Sequence, residues 1–393
     1  MGGAEMSEWK KVKLGELYEV HNGLSKGRQF FGSGYPFLSF STVFNNWFLP
    51  KELDSLVQSS DKEREACSIK KGDVFITRTS ETMDELGMSS VALQDYPNAT
   101  YNGFTKRLRP ITDEVIPEYI GYYLRSPKFR GKFMAFSTMT TRASLANGDL
   151  LNMEVELPKK DVQLRIATIL SRYDTLIENY QKQIKLLEES AQRLYKEWFV
   201  ELRFPGYEST KVVDGVPEGW EKKIITDVFD FKYGKILPTK EFVENGPIPV
   251  YGASKQIGNY TKANCFEPKV LVGSRGNAGF VHRTIEDKTY VTNNSFIVTP
   301  RFSYDYLQLP YIYESFKIMD FVAICTGAAQ PQLTLNSIAS LKYIVPSQEL
   351  VKSYCSCANK TFKTIAIAYN QIRLLTEARD RLLPKLMGGE MEV

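Results

Sequence analysis

A chain of 393 residues, 43% hydrophobic and 12% aromatic, has the apolar content to fill two or three cores and is not a disordered polymer. Its net charge of +4 excludes an acidic DNA mimic but does not by itself mark a nucleic-acid binder. Cys67, Cys265, Cys325, Cys355 and Cys357 lack framework spacing, no apolar leader opens the chain, and no run approaches the roughly 18–20 apolar residues of a membrane helix, so a cytoplasmic location is expected.

Taken in chain order, Met1–Glu5 reads as an added extension ahead of Met6. A first mixed α/β domain is expected over 8–157, opening on Trp9-Lys-Lys-Val-Lys-Leu-Gly-Glu-Leu17. It carries Lys26 and Arg28 beside Gly23 and Gly27, and Ser39 and Ser41 after Tyr35-Pro36. Asp73-Val-Phe-Ile-Thr77 predicts a strand that runs out into the loop Thr77-Arg78-Thr79-Ser80. Between Tyr96 and Arg142, Lys106, Arg107, Arg109, Arg125, Lys128, Arg130, Lys132 and Arg142 alternate with Tyr and Phe against three acidic residues. Basic and aromatic side chains on one segment suit a phosphate-facing surface, although a solvated face has the same composition.

Leu170, Tyr173, Ile177, Tyr180, Ile184, Leu187, Ala191, Leu194 and Trp198 then alternate at spacings of 3 and 4, an unbroken heptad seam. It predicts a long helix over 158–203, with Asp161 in its first turn where negative charge suits the dipole, stopping before Phe204-Pro205-Gly206. About 40 residues make a rod of roughly 60 Å. A Pro-, Gly- and Val-rich linker, 204–219, leads to a second domain over 220–345. There Lys235, Asn245-Gly-Pro-Ile-Pro249, Ser254, Lys255 and Asn293-Asn294 sit around the strands Lys269-Val-Leu-Val-Gly273 and Ser295-Phe-Ile-Val-Thr299, and Ser274-Arg275-Gly276-Asn277 follows the first of these. The chain finishes with a second long helix, 346–387. Its weaker seam is Ala358, Thr361, Ile365, Ala368, Ile372, Leu375, Arg379, Leu382 and Leu386, and the regular helix is expected to falter at Pro384.

The halves are copies. Gln183-Ile-Lys-Leu-Leu-Glu-Glu-Ser-Ala-Gln-Arg-Leu194 matches Gln371-Ile-Arg-Leu-Leu-Thr-Glu-Ala-Arg-Asp-Arg-Leu382 without a gap, and the register carries Ile177 onto Ile365, Pro158 onto Pro346 and Leu145 onto Leu333. Trp9 to Leu17 likewise echoes Trp220-Glu-Lys-Lys-Ile-Ile-Thr-Asp-Val228, at a larger offset, so the first copy is longer somewhere between these anchors. Two long stripes in one chain are expected to pair antiparallel, and the fold class is α+β: two mixed domains separated by a coiled-coil pair, with a pseudo-twofold internal repeat. Leu170, Ile177, Ile184, Leu187, Leu194, Ile365, Ile372, Leu375 and Leu382 are its expected interface residues, for the helix pair and for partners.

Catalytic signatures are missing. No Pro-Pro dipeptide occurs, Gly273, Gly276 and Gly279 are spaced as turn glycines, and there is no phosphate loop. Glu8-Trp9-Lys10 and Glu221-Lys222-Lys223 supply only half of a nuclease signature. His21 and His282 have no metal-ligand spacing to the cysteines, and Cys355 and Cys357 suit a helix core. The loops do suit base reading. Arg pairs bidentately with guanine, Asn and Gln with adenine, and Ser and Thr take either role. Arg78 and Arg275 are the leading candidates, as paired readers or phosphate clamps; a structural Arg closing a salt bridge near a turn is the competing account. Lys26, Arg28, Ser39, Ser41, Thr77, Thr79, Ser80, Lys106, Arg107, Lys235, Ser254, Lys255, Ser274, Asn277 and Asn293 complete the candidate DNA-binding set. Gln330 and Gln332, near Thr326-Gly327, suit adenine or a turn cap.

Leu157-Pro158 with Gln163-Leu-Arg-Ile-Ala-Thr-Ile-Leu170, Leu194-Tyr-Lys-Glu-Trp-Phe-Val200, the opening Trp9…Leu14-Gly15-Glu16-Leu17 and Gly246-Pro-Ile-Pro-Val-Tyr-Gly-Ala-Ser254 together resemble the specificity subunit of Type I restriction–modification systems, over essentially the whole chain. Ser353-Tyr-Cys-Ser-Cys357 departs from that family's small apolar run. The resemblance implies a non-catalytic subunit whose two domains each read half of a split double-stranded DNA target, and whose helices set the spacer. It implies two methyltransferase subunits, carrying S-adenosylmethionine, docked on the helices, and a motor–nuclease subunit using ATP and Mg2+. No cofactor, metal or membrane is implied for this chain itself. The alternative is a coiled-coil scaffold whose two globular domains bind proteins.

Overall fold

The computed structural model describes residues 9–80, 86–136, 143–144, 146–327, 330–391 and 393. Met1–Glu5, Arg142 and Leu145 lie outside them. The chain forms two compact units, one of Met1–Ile177 with Leu374–Val393 and one of Glu178–Arg373.

In the first unit a four-stranded antiparallel sheet has the order Tyr18–Asn22, Thr105–Pro110, Val74–Thr77, Ser89–Val91. The run Val74-Phe75-Ile76-Thr77 is buried on both faces, as a continuous apolar strand at the centre of a sheet should be. A three-stranded sheet pairs Phe31–Leu38 antiparallel with Ser55–Val57 and parallel with Thr100–Tyr101. Lys10–Lys13 pairs with Glu154–Leu157, joining the start of the domain to its finish. The helix Pro117–Arg125 begins on Pro117, whose missing N–H costs nothing at that position, and it buries Tyr119, Tyr122 and Tyr123 in the core.

The second unit repeats this topology. Its four-stranded sheet runs Phe229–Tyr233, Ser295–Pro300, Val270–Gly273, Val281–Arg283, and its three-stranded sheet pairs Ile248–Tyr251 with Gln256–Tyr260 and Tyr290–Val291. Glu221–Ile224 and Lys342–Val345 close it, and Leu309–Lys317 repeats the proline-started helix. Most of the extra length of the first copy falls between Leu38 and Val74, where helices Phe40–Asn45 and Asp61–Ala66 stand; between Tyr251 and Val270 the second copy has only the strand Gln256–Tyr260. Residues 204–219 carry a small hairpin, Val212–Val213 with Val216–Pro217, turned by Asp214 and Gly215 at φ 50° and 72°.

The central helix spans Lys160–Tyr195 and continues as a π-turn over Lys196–Val200; the C-terminal helix spans Gln348–Met387. In the first unit Ile166, Ala167 and Leu170 share a core with Leu383, Leu386 and Met387, and Leu382 packs against it. In the second, Tyr180, Ile184 and Leu187 meet Ile365, Ala368 and Ile372, and Tyr195 meets Tyr354, Cys355 and Ala358. Rising numbers on one helix meet falling numbers on the other, so the pair is antiparallel within each unit. Ile177 and Leu375 are half-buried, and Leu194 packs on the second core.

Two seam expectations are corrected. The C-terminal helix does not falter at Pro384 but continues to Met387, because Leu383, Leu386 and Met387 are anchored in the first core and the missing N–H removes one bond in the last turn. Arg379 is not a weak point, since Asp174 of the central helix takes its guanidinium at 2.6 Å and Trp47 lies 4.9 Å beneath it. Tyr354 and Cys355, in the segment that departs from the small apolar run, are fully buried. Gln163 fixes the start of the central helix: its side chain accepts from the Ile116 amide and donates to the carbonyls of Glu114 and Pro158.

Candidate nucleic-acid interface

In each unit one corner gathers the ends of several strands. In the first, Leu24 donates its amide to Tyr101 and accepts from Gly103, and the Arg78 amide donates to the Phe104 carbonyl. In the second, the Lys235 amide donates to Val291, its carbonyl accepts from Asn293, and the Ser274 amide donates to Asn294. Gly23 and Gly234 allow this approach, because a Cβ on either would lie 2.2–2.3 Å from the carbonyl oxygen of Asn102 or Thr292.

These matching bonds fix which residues correspond. Arg78 corresponds to Ser274, Phe104 to Asn294 and Leu24 to Lys235. Thr79, paired with Ser144, corresponds to Arg275, bridged to Gln332. Arg78 and Arg275 are therefore one position apart, not equivalent. Arg78 is half-buried with Nη1 3.5 Å from Asn22 Oδ1, whereas Arg275 is exposed. Thr77 is buried beneath the turn, its hydroxyl accepting from the Met88 amide, and Thr79–Ser80 forms a short strand.

The other candidates divide into exposed and engaged groups. Arg28, Lys235, Lys255, Arg275 and Asn277 are exposed. Lys26 is held 2.8 Å from Glu63, whose carboxyl this hydrogen bond, with the Ser60 amide, holds down at about 2. Asn277 donates to Ser254 at 2.6 Å, and the buried Ser274 hydroxyl donates to the carbonyl of half-buried Asn293. Ser39 caps the helix Phe40–Asn45, and its hydroxyl lies 2.9 Å from that of Ser41. Gln330 is exposed; the Gln332 amide donates to Thr326.

Most of the basic stretch after Tyr96 is engaged by groups of its own domain. Lys106 is 4% exposed and bonded to Asn147, and burial followed by the Arg78 charge pushes its ammonium down. Arg107 is 2% exposed, donating to the carbonyls of Ser68 and Ala66. Arg109 grips the fully buried Asp73 with two bonds, and Lys128 and Lys132 share Glu156. Arg125 reaches the carbonyls of Ser89, Val43, Phe44 and Asn46, and burial pushes it down to about 10. These cations hold the first domain together rather than lining a phosphate track. What composition did not single out is Phe104, 59% exposed at the corner turn. With Lys26, Arg28 and Phe31 it borders a concavity of about 360 Å³.

Comparison with known proteins accounts for both copies. The chain matches the family described as Type I restriction modification DNA specificity domain over residues 6–189 and 217–354. It is 24% identical to the Type I restriction enzyme MjaIX specificity subunit of Methanocaldococcus jannaschii, over 98% of this chain and 94% of that one. It is 25% identical to the HindI specificity subunit of Haemophilus influenzae, over 98% and 100%. The crystal structure of the Type I restriction–modification S subunit from M. genitalium shares the fold, with a TM-score of 0.58 over 98% of both chains at 17% identity. A chain built from two copies of this domain, each completed by its share of two long antiparallel helices, belongs to the Type I restriction–modification DNA specificity family.

Proposed function

We propose that each unit reads one half of a bipartite double-stranded DNA target and that the chain performs no chemistry of its own. The observation that carries this reading is the matched corner. One backbone arrangement occurs twice, yet presents Arg78, Phe104 and Leu24 in the first unit and Ser274, Asn294 and Lys235 in the second. Phosphate contacts position a protein, whereas base edges carry sequence, so two different half-sites call for a constant frame with varied side chains. Of the candidate residues, Arg28, Lys235, Lys255 and Arg275 are the exposed cations. Ser41, Arg78, Asn277 and Asn293 are the candidate polar readers.

The chemistry belongs to partner subunits: S-adenosylmethionine on two methyltransferases, ATP and Mg2+ on a motor–nuclease. Leu164, Leu176, Leu186, Ile367 and Leu374 are among the apolar side chains exposed on the long helices and open to methyltransferase docking. No helix among the described residues is long and apolar enough to cross a membrane.

Single-molecule methylome sequencing tests the reading. The full chain is expressed with its neighbouring methyltransferase in cells that lack other adenine methylation. The expected result is a split target, two defined halves around unspecified bases. Exchange of residues 8–157 for those of a relative should change one half only. A continuous short site, or both halves changing together, overturns it.

A further inference from the structure

The turn Asn102-Gly103-Phe104 holds a large apolar ring in water by deliberate bonding. Asn102 Oδ1 accepts from the Phe104 amide at 2.7 Å, and the Phe104 carbonyl accepts from Arg78 at 3.0 Å. Gly103 lies so close to the chain at Leu24 and Ser25 that a Cβ there would sit 2.3 Å from Ser25 Oγ. The backbone of the turn is therefore fixed, and it presents the Phe104 ring to solvent. Arg28 is exposed on the rim of the same concavity, and Arg78, whose amide donates to the turn, is half-buried with its guanidinium near Asn22. An apolar ring beside an exposed cation complements a surface whose edges are apolar and whose borders are phosphates. At the matching backbone position the second unit places Asn294, also exposed. A protein-docking turn has no need to exchange a phenyl ring for a carboxamide on one conserved backbone geometry, whereas a base-reading position does. Apolar rings contact the thymine methyl in the major groove, and a carboxamide pairs bidentately with adenine.

We infer that Phe104 is a specificity-determining residue of the first unit, making an apolar contact to a thymine methyl of its half-site, and that Asn294 is its counterpart in the second. This rests on the reading of each unit as a DNA half-site reader.

The test uses the complex of the full chain with its methyltransferase subunits, and duplexes carrying the mapped target in which each thymine in turn is replaced by deoxyuridine, which removes only the methyl. One position in the first half should lose about fourfold in affinity, the worth of one methyl-sized apolar group removed from water. Phe104→Ala should bind the thymine duplex about fourfold more weakly and be indifferent to that deoxyuridine, and Phe104→Leu should keep most of the discrimination. Asn294→Ala should leave the deoxyuridine effect intact and relax an adenine position in the other half. If no thymine in the first half responds, or Phe104→Ala responds like the wild type, the assignment of Phe104 is wrong while half-site reading stands. A complex with no sequence preference on any duplex overturns both.

Discussion

Arg379 of the C-terminal helix donates to Asp174 of the central helix at 2.6 Å, and Asp174 also accepts from the Tyr122 hydroxyl of the first domain. One carboxylate thus ties two helices and a domain core, with Trp47 beneath the guanidinium. Removing one member of a buried pair strands the other. At 13% and 23% side-chain exposure, the Arg379→Ala cost should fall at about 3 kcal/mol, the lower end for such pairs. Replacing both, Arg379→Met with Asp174→Leu, should cost less than the two single changes together. A chemical-denaturation cycle on the full chain reads this, and strict additivity would mean the pair is not coupled.

Ile184 is 5% exposed between Ile365 and Ala368. Ile184→Ala should cost about 2–4 kcal/mol, and Ile184→Asp more, because a carboxylate there has no partner. Helical content and the melting of the second unit should fall together. An Ile184→Asp chain that melts normally and still assembles with its methyltransferase would refute the helix pair as the frame of that unit.

His282 is buried beside Tyr251, with Nε2 3.4 Å from Ser295 Oγ and Nδ1 unpartnered, and burial pushes its imidazole down to about 4 from the ordinary 6.5. Between those values the unfolded chain binds the proton and the folded one does not. Stability from this group is therefore complete above pH 6.5, declines by about 3 kcal/mol as pH falls to 4, and levels off below. Melting His282→Phe across that range should give a flatter curve than the wild type; parallel curves would assign the acid sensitivity elsewhere.

Arg28 and Arg107 should separate cleanly. Arg28→Ala should leave the melting temperature unchanged and lower the slope of log affinity against log salt by about one phosphate's worth, roughly 0.9. Arg107→Ala removes one of the two guanidinium donors to the Ser68 carbonyl, Arg109 keeping the other, together with the bond to the Ala66 carbonyl, and should cost about 2 kcal/mol of stability. A melting curve unmoved by Arg107→Ala would return that residue to the interface.

The helices and the duplication were legible because periodicity is a property of a whole segment. Nine residues from Leu170 to Trp198 declare one stripe, and the Gln183 to Leu194 match survives without a gap. The corner was only partly legible, because its residues converge from four stretches of chain, and hydrogen-bond register decides what corresponds to what. A one-residue stagger separates Arg275 from the position of Arg78, and no local pattern reports it. Lys106 and Arg107 misled for the opposite reason: composition counts charges but not the carbonyls waiting inside the domain to receive them. Phe104 was passed over because a lone aromatic in a Gly turn is indistinguishable from a core residue until its exposure is known.

The first unit is assembled from two distant stretches, with Leu383, Leu386 and Met387 packed among residues that end at Ile177. The second is one uninterrupted stretch. During synthesis at about 5–20 residues per second, the ribosome works for roughly 10–50 seconds between Leu157 and Met387. Throughout that interval Ile166, Ala167 and Leu170 have no partner from the C-terminal helix. The half made last can finish folding before the half made first, and the earlier half waits with its core open.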